Sequence, residues 1–315
     1  MMRSFENMAM KHKLLLMLLV PIVGLSWNLQ NDLRNAWQLE SESEVLLDMA
    51  GLSVRSSALV HELQKERGMS AGYLGSRGSK FSAELVAQHE QTNDRLQALT
   101  LFVESADLSD QAALSTGLKQ LEGLSAMRTR ILEQRVALGE GIGFYTAANA
   151  SFLDAVGEMA KLSSIGELNN AATAYVAFLQ SKERAGIERA VLSNAFGADR
   201  FAPGLFERFQ ALVTVQDTYL AVFRSLASAE HVAFYETTVS GGAIDEVARM
   251  RSLATDRAQS GGFAIDPTYW FSQQTEKINL LKRVEDRLSL DLQANATGTH
   301  AVEGWVAKLA CAIAL

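Results

Sequence analysis

Residues 60–74, VHELQKERGMSAGYL, show the clearest α-helical pattern in the sequence. Arg67 falls on the same helical face as Val60 and Leu63, because these residues follow the 3.6-residue period of an α-helix. A shorter copy of the stretch, SKERAG at residues 181–186, places Arg184 in an equally helical setting. A guanidinium is costly to bury alone. We therefore expect an anion beside each arginine, either a protein carboxylate or a ligand.

Composition favours an all-α protein. The 315 residues are 48% hydrophobic and include only three prolines. Long stretches rich in leucine, alanine, glutamate, glutamine and arginine contain few glycine or proline breaks. The net charge of −7 argues against nucleic acid as a partner, because phosphate binding needs a basic surface.

Breaks in the helical pattern divide the chain into eight predicted helices. They lie near 28–75, 81–104, 109–138, 142–196, 203–229, 231–239, 242–258 and 267–299. Glycine- and serine-containing connections are predicted at 75–79, 105–107 and 139–141, and Asp266 is the predicted N-cap of the last helix. Eight antiparallel helices of these lengths suit two four-helix bundles that share long helices.

Both ends of the chain carry apolar segments. Basic residues precede an almost uninterrupted apolar run at 14–25, so we expect 1–27 to form a cytoplasmic tip and an uncleaved transmembrane signal anchor. Residues 28–304 would then form a periplasmic sensor domain. Residues 305–315 are expected to begin a second, truncated transmembrane helix, with a C-terminal core helix as the alternative. These segments predict an inner-membrane location.

Three stretches resemble the NIT domain, the nitrate- and nitrite-sensing module of bacterial transmembrane receptors such as methyl-accepting chemotaxis proteins. They are HELQKERGMSAGYL at 61–74, KERAGIERA at 182–190, and the segment from Trp270 to Lys282. The resemblance covers about residues 50–290. It implies an all-helical sensor of two four-helix bundles that binds nitrate or nitrite between them through arginines. It also implies a homodimer, with the helix at 28–75 as the contact.

Four arginines are the candidate ligand-binding residues. Arg67 ranks first, followed by Arg184 or Arg251, and Arg189 is fourth because it lies about 140° around the helix from Arg184. Arg251 follows another mostly apolar stripe. A planar guanidinium with paired donors matches the planar, proton-free nitrate ion better than a lysine ammonium does.

The sequence therefore predicts the sensory module of a bacterial signal-transduction receptor, in which anion binding transmits a helix shift to the membrane. We expect no enzymatic activity, no cofactor and no metal, since the five histidines show no metal-ligand spacing. One alternative is a sensor of the same fold for another small anion, a carboxylate or a periplasmic partner. Another is a non-sensing helical scaffold, in which the arginines pair with internal carboxylates such as Glu66 or Glu183.

Overall fold

The computed structural model describes residues 10–160 and 166–314, and these residues contain helices and no strand. Ten helices follow one another in the described chain. They are α1 (Met10–Gly75), α2 (Ser82–Ser105), α3 (Ala112–Leu121), α4 (Leu124–Leu132), α5 (Leu138–Ala160), α6 (Gly166–Gly197), α7 (Leu205–Leu226), α8 (Ala229–Thr238), α9 (Gly242–Asp256) and α10 (Pro267–Ala314). The predicted all-α fold class is confirmed.

The chain forms two compact units. One consists of residues 48–294, and the other contains the described parts of 1–47 and 295–315. The larger unit carries the resemblance and the candidate site, and the following paragraphs on packing concern that unit.

Helix α6 is the central element of the larger unit. It packs against α5 and α7, and residues 177–183 and 185–189 are buried without interruption. A helix buried around its whole circumference is normally apolar, yet this stretch includes Lys182, Glu183 and Glu188. Such residues tolerate burial only with partners, so α6 must be surrounded by complementary charges.

An aromatic cluster fixes the start of α10 against the C-terminal half of α6. The ring of Phe196 meets those of Phe263 and Trp270 edge-on, with centroid distances of 5.4 and 5.6 Å. The indole Nε1 of Trp270 donates a hydrogen bond to the backbone oxygen of Arg189 at 3.0 Å. This contact sets the position of α10 beside Arg189.

Several predicted boundaries are confirmed and others are wrong. Helix α1 ends at Gly75 as predicted, and α2 ends at Ser105, one residue after the predicted end at 104. Asp266 Oδ1 accepts a hydrogen bond from the backbone N–H of Thr268, as expected of an N-cap. The predicted connection at 139–141 lies inside α5, where Gly141 is buried near Leu74 and Ile131.

Two predicted helices are divided. The helix expected at 109–138 forms α3 and α4, which are separated at Glu122 and Gly123. The helix expected at 142–196 forms α5 and α6, and residues 161–165 between them lie outside the described residues. The shared-bundle arrangement stays a prediction.

The predicted membrane spans receive no support. Among the described residues, no helix combines the length and the apolar character needed to cross a membrane. The apolar run at 14–25 belongs to α1, which continues to Gly75, and the segment at 305–314 belongs to α10. Residues 1–9 and Leu315 of the two predicted spans lie outside the described residues.

Candidate anion-binding site

A cavity of about 560 Å³ lies between α1, α5, α6 and the start of α10. Its lining is mostly apolar or small, and includes Ala71, Phe81, Ile142, Ala190 and Phe271. The cationic side chains of the lining are Arg67, Lys80 and Arg189. The cavity therefore combines an apolar wall with positive charge.

Arg67 is buried, with 1% of its surface exposed, and it is paired with a carboxylate. Its Nη1 donates to Glu183 Oε1 at 2.5 Å and to Thr146 Oγ1 at 2.9 Å. Its Nη2 donates to Glu183 Oε2 at the longer distance of 3.3 Å. The anion expected beside this arginine is thus a protein carboxylate.

Glu183 is fixed behind Arg67 by further donors. Gln64 Nε2 donates to its Oε2 at 2.6 Å, and Asn149 Nδ2 donates to the same oxygen at 3.3 Å. The carboxylate thereby joins α1, α5 and α6, and it does not line the cavity. A buried carboxylate with charged and neutral donors is held in one position.

Arg189 is also buried, at 5% exposed, but among the described residues it has no carboxylate partner. It donates to Thr275 Oγ1 at 2.9 Å and to the backbone oxygen of Gln64 at 3.3 Å. Its guanidinium carbon lies 4.5 Å from the centre of the Phe271 ring, which gives a cation–π contact.

The electrostatic environment of Arg189 favours an added anion. Burial and the nearby charge of Arg67 lower the pKa of Arg189 to about 9, although Glu183 opposes this shift. The guanidinium therefore remains charged at neutral pH. Its charge is incompletely compensated, and an anion in the cavity would relieve that cost.

Two glycines leave room for the arginine side chains at the crossing of α1 and α6. A Cβ atom at Gly186 of α6 would lie 2.8 Å from Nη2 of Arg67, and a Cβ atom at Gly68 of α1 would lie 2.6 Å from Nη2 of Arg189. Each guanidinium thus packs over a glycine of the opposite helix. The missing side chains bring both Nη2 groups to the crossing of α1 and α6.

The other two candidate arginines lie outside this cavity. Arg251 donates from Nε and Nη2 to the two oxygens of Glu188, at 2.6 and 2.5 Å, in a two-point ion pair between α9 and α6. Arg184 donates to Gln180 Oε1 and lies 5.4 Å from the ring centre of Tyr219. The structure brings together Arg67 and Arg189, and a ligand-binding role for any of the four arginines stays a prediction.

Comparison with known proteins identifies the family. Residues 58–293 match the NIT family, described as nitrate and nitrite sensing. The chain belongs to the NIT family. A nitrate regulatory protein from Klebsiella oxytoca is 26% identical over 251 residues, which is 78% of this chain and 63% of that protein. The chain therefore spans less than two thirds of the length of this relative.

A solved structure supports the fold of this NIT protein. The structure of the NasR transcription antiterminator is similar, with a TM-score of 0.76 and 23% identity, over 93% of this chain and 82% of that chain. At this identity the likeness concerns the fold alone.

These comparisons correct the predicted setting of the domain. The relatives are named a regulatory protein and a transcription antiterminator, and no described helix can cross a membrane. The predictions of a transmembrane chemotaxis receptor, a membrane partner and an inner-membrane location with a periplasmic domain are therefore wrong. The exclusion of nucleic acid is corrected as well, because a protein of this fold is a transcription antiterminator. Only one chain is described, so the homodimer stays a prediction.

Sequence reasoning assigned no site role to several residues that contact the two arginines of the NIT cavity. Thr146, Phe271 and Thr275 contact the two arginines and come from α5 and α10, far from the repeated motif. The sequence did contain one signal for this site. A glycine closely follows the arginine in both copies of the motif, Gly68 in the first copy and Gly186 in the second. Glycine inside a helical pattern often marks a close approach by another group.

Proposed function

We propose that this NIT domain binds nitrate or nitrite between Arg67 and Arg189 and serves, without catalysing a reaction, as the sensing part of a nitrate-responsive regulator. The observation that carries the proposal is Arg189, a buried guanidinium on a cavity wall with no carboxylate partner in the described structure. Family membership and a relative named a nitrate regulatory protein support the same ligand.

The cavity suits the chemistry of a nitrate ion. Nitrate offers acceptor oxygens in one plane and carries a single, delocalised charge, so it needs planar donors and little hydration. The Nη2 groups of Arg67 and Arg189 each lie beside a glycine at the helix crossing, and the surrounding lining is mostly apolar. An anion between them would accept charge-assisted hydrogen bonds from two directions.

Binding would connect three helices of the larger unit. Arg67 belongs to α1 and Arg189 to α6, while Phe271 and Thr275 of α10 contact the Arg189 guanidinium. The expected pair of four-helix bundles that share long helices forms part of this proposal, supported by the packing of α6 against α5 and α7. An anion at the crossing would favour one packing of these helices over another.

A second candidate function has an observation in its favour. Arg67 pairs with Glu183, and Glu66 pairs with Arg128, as a non-sensing helical scaffold would require. In a scaffold, however, Arg189 would also need a carboxylate. The two candidates therefore differ in what replacement of Arg189 does to the response to nitrate.

The test is calorimetric titration of the full chain with sodium nitrate, sodium nitrite and sodium chloride at constant ionic strength, together with thermal unfolding. Ligand at about 100 times its dissociation constant should stabilise the folded state by roughly 2.7 kcal/mol. We expect nitrate or nitrite to bind in preference to chloride, and Arg189→Gln to abolish that binding while the protein still unfolds cooperatively.

Arg249→Gln is the matched control, because Arg249 is an exposed arginine that pairs with Glu246 on the surface of α9. This variant should bind nitrate as the wild type does. A folded wild-type protein without selective nitrate or nitrite binding would exclude the proposed function and favour the scaffold.

A further inference from the structure

The buried charges beside the cavity sum to a single positive charge. Arg67 and Arg189 each contribute one positive charge, and Glu183 contributes one negative charge through its ion pair with Arg67. Lys80 also lines the cavity, but its ammonium group is exposed, donates to Thr268 Oγ1 at 3.0 Å and is screened by water. The permanent charge that a bound anion meets is therefore close to one.

Other buried charges near the site are paired among themselves. Glu66, the neighbour of Arg67, accepts from Nε and Nη2 of Arg128 at 2.8 Å each. Lys182, the neighbour of Glu183, pairs with Glu285 of α10. Neither pair adds net charge to the cavity, so Glu183 is the acidic side chain that reduces the charge of the two arginines.

We infer that Glu183 is a specificity-determining residue that restricts the site to singly charged anions, an inference that rests on the proposed function. A monovalent anion balances the site. A divalent anion would leave one buried negative charge in excess and would lose a much larger hydration energy on entry. The charge of the site would admit nitrate and nitrite and would reject sulfate.

Glu183 can perform this role because donors from α1 and α5 hold its carboxylate in place. Its oxygens accept from Arg67, Gln64 and Asn149, and it does not line the cavity. Glu183 accepts from Nη1 of Arg67 at 2.5 Å and, at the longer distance of 3.3 Å, from Nη2. A ligand in the cavity would therefore contact the Nη2 end of the guanidinium, which lies beside Gly186 of the lining. The carboxylate sets the charge of the site without contacting the ligand.

The test compares sodium nitrate with sodium sulfate, at constant ionic strength, on the full-length wild type and on Glu183→Gln. Binding is measured by calorimetry, because sulfate stabilises folded proteins in general and would shift a thermal transition without binding. We expect the wild type to bind nitrate and to exclude sulfate. In Glu183→Gln the sulfate affinity relative to nitrate should rise roughly tenfold or more, because one unit of opposing charge is removed from a poorly screened site.

Lys80→Gln is the control for charge on the cavity wall. It removes a cation from the exposed end of the lining, so the ratio of nitrate to sulfate affinity should stay the same. A large change in this ratio would show that the exposed charge selects the anion and would overturn the role of Glu183.

Removal of Glu183 alone leaves Arg67 buried without its partner, and this variant can fail to fold. The double variant Arg67→Gln/Glu183→Gln removes both charges and keeps the net charge of one at Arg189. It should bind nitrate more weakly and still exclude sulfate.

Sulfate binding as tight as nitrate binding in the double variant, or sulfate exclusion unchanged in a folded Glu183→Gln protein, would overturn the inference while leaving nitrate binding intact. Absence of nitrate binding to the wild type would instead overturn the proposed function and this inference with it.

Discussion

Arg67 and Arg189 differ in how their charge is compensated. Arg67 shares its inner N–H groups with Glu183 and Thr146, whereas Arg189 has a hydroxyl, a backbone oxygen and an aromatic ring as its partners. Because neutral partners compensate a buried charge less well than a carboxylate does, the energy gained from an added anion should come mainly from Arg189.

The two glycines at the helix crossing give a test that keeps every charge. In Gly68→Ala and Gly186→Ala the new methyl group would lie only 2.6 and 2.8 Å from an Nη2 group, so the guanidinium must move. The loss of one charge-assisted hydrogen bond to nitrate, about 1.5 kcal/mol, would weaken binding by about tenfold. Thermal unfolding and nitrate titration of both variants measure the two effects separately.

Gly143→Ala provides the comparison, because Gly143 lies on α5 with open space around its Cβ position. Alanine there should stabilise the protein by about 0.5–1 kcal/mol through helix propensity and leave nitrate affinity unchanged. Nitrate affinity equal to that of the wild type in both crossing variants would show that the Nη2 groups do not contact the ligand.

Ion pairs between helices hold the elements around the site. The Glu66–Arg128 pair joins α1 to α4, and the Glu188–Arg251 pair joins α6 to α9. Both carboxylates are buried, and burial alone would raise their pKa values. The hydrogen bonds and charge of the partner arginine outweigh burial, so the net pKa of each carboxyl is lowered.

These pairs predict acid sensitivity of the packing between helices. A carboxyl group whose pKa is lower in the folded state stabilises the fold above its unfolded pKa, near 4.5, and this contribution is lost as pH falls through the folded pKa. The free energy of unfolding, measured with denaturant, should therefore fall as pH is lowered below about 4.5. Glu188→Gln should cost about 3 kcal/mol at neutral pH, since it leaves Arg251 without its carboxylate, and it should flatten part of the acid dependence.

Glu246→Gln is the surface counterpart, because Glu246 pairs with Arg249 in water on α9. It should change neither the stability at neutral pH nor the acid dependence appreciably. An acid profile of Glu188→Gln that matches the wild type would assign the sensitivity to other carboxyl groups.

At the level of the larger unit, the cavity links segments that are far apart in sequence. Most of its lining comes from residues within 67–75 of α1, 186–197 of α6 and 267–271 of α10, whereas α8 contributes no residue. Nitrate binding should therefore slow amide hydrogen exchange in these three segments and leave exchange in α8 unchanged. Protection spread evenly over residues 48–294, or confined to α8 and α9, would place the ligand elsewhere.

Composition predicted the all-α class, break and capping residues predicted the end of α1, the end of α2 to within one residue and the N-cap at Asp266, and helical periodicity predicted the buried face that carries Arg67. These features depend on neighbours within one or two turns, so local sequence encodes them. The division of the predicted helix at 109–138, and the helical state of 139–141, depended on packing against other helices and were not predicted.

Only the tertiary structure decided which arginines meet. Periodicity shows which face of a helix is buried, but it does not show which helix covers that face, and residues 177–183 and 185–189 of α6 are buried regardless of face. Arg184 and Arg251 therefore ranked above Arg189, although Arg189 shares the cavity with Arg67. The pairing of Arg67 with Glu183, like the fit of each guanidinium over a glycine of the other helix, follows from how α1 and α6 cross in space.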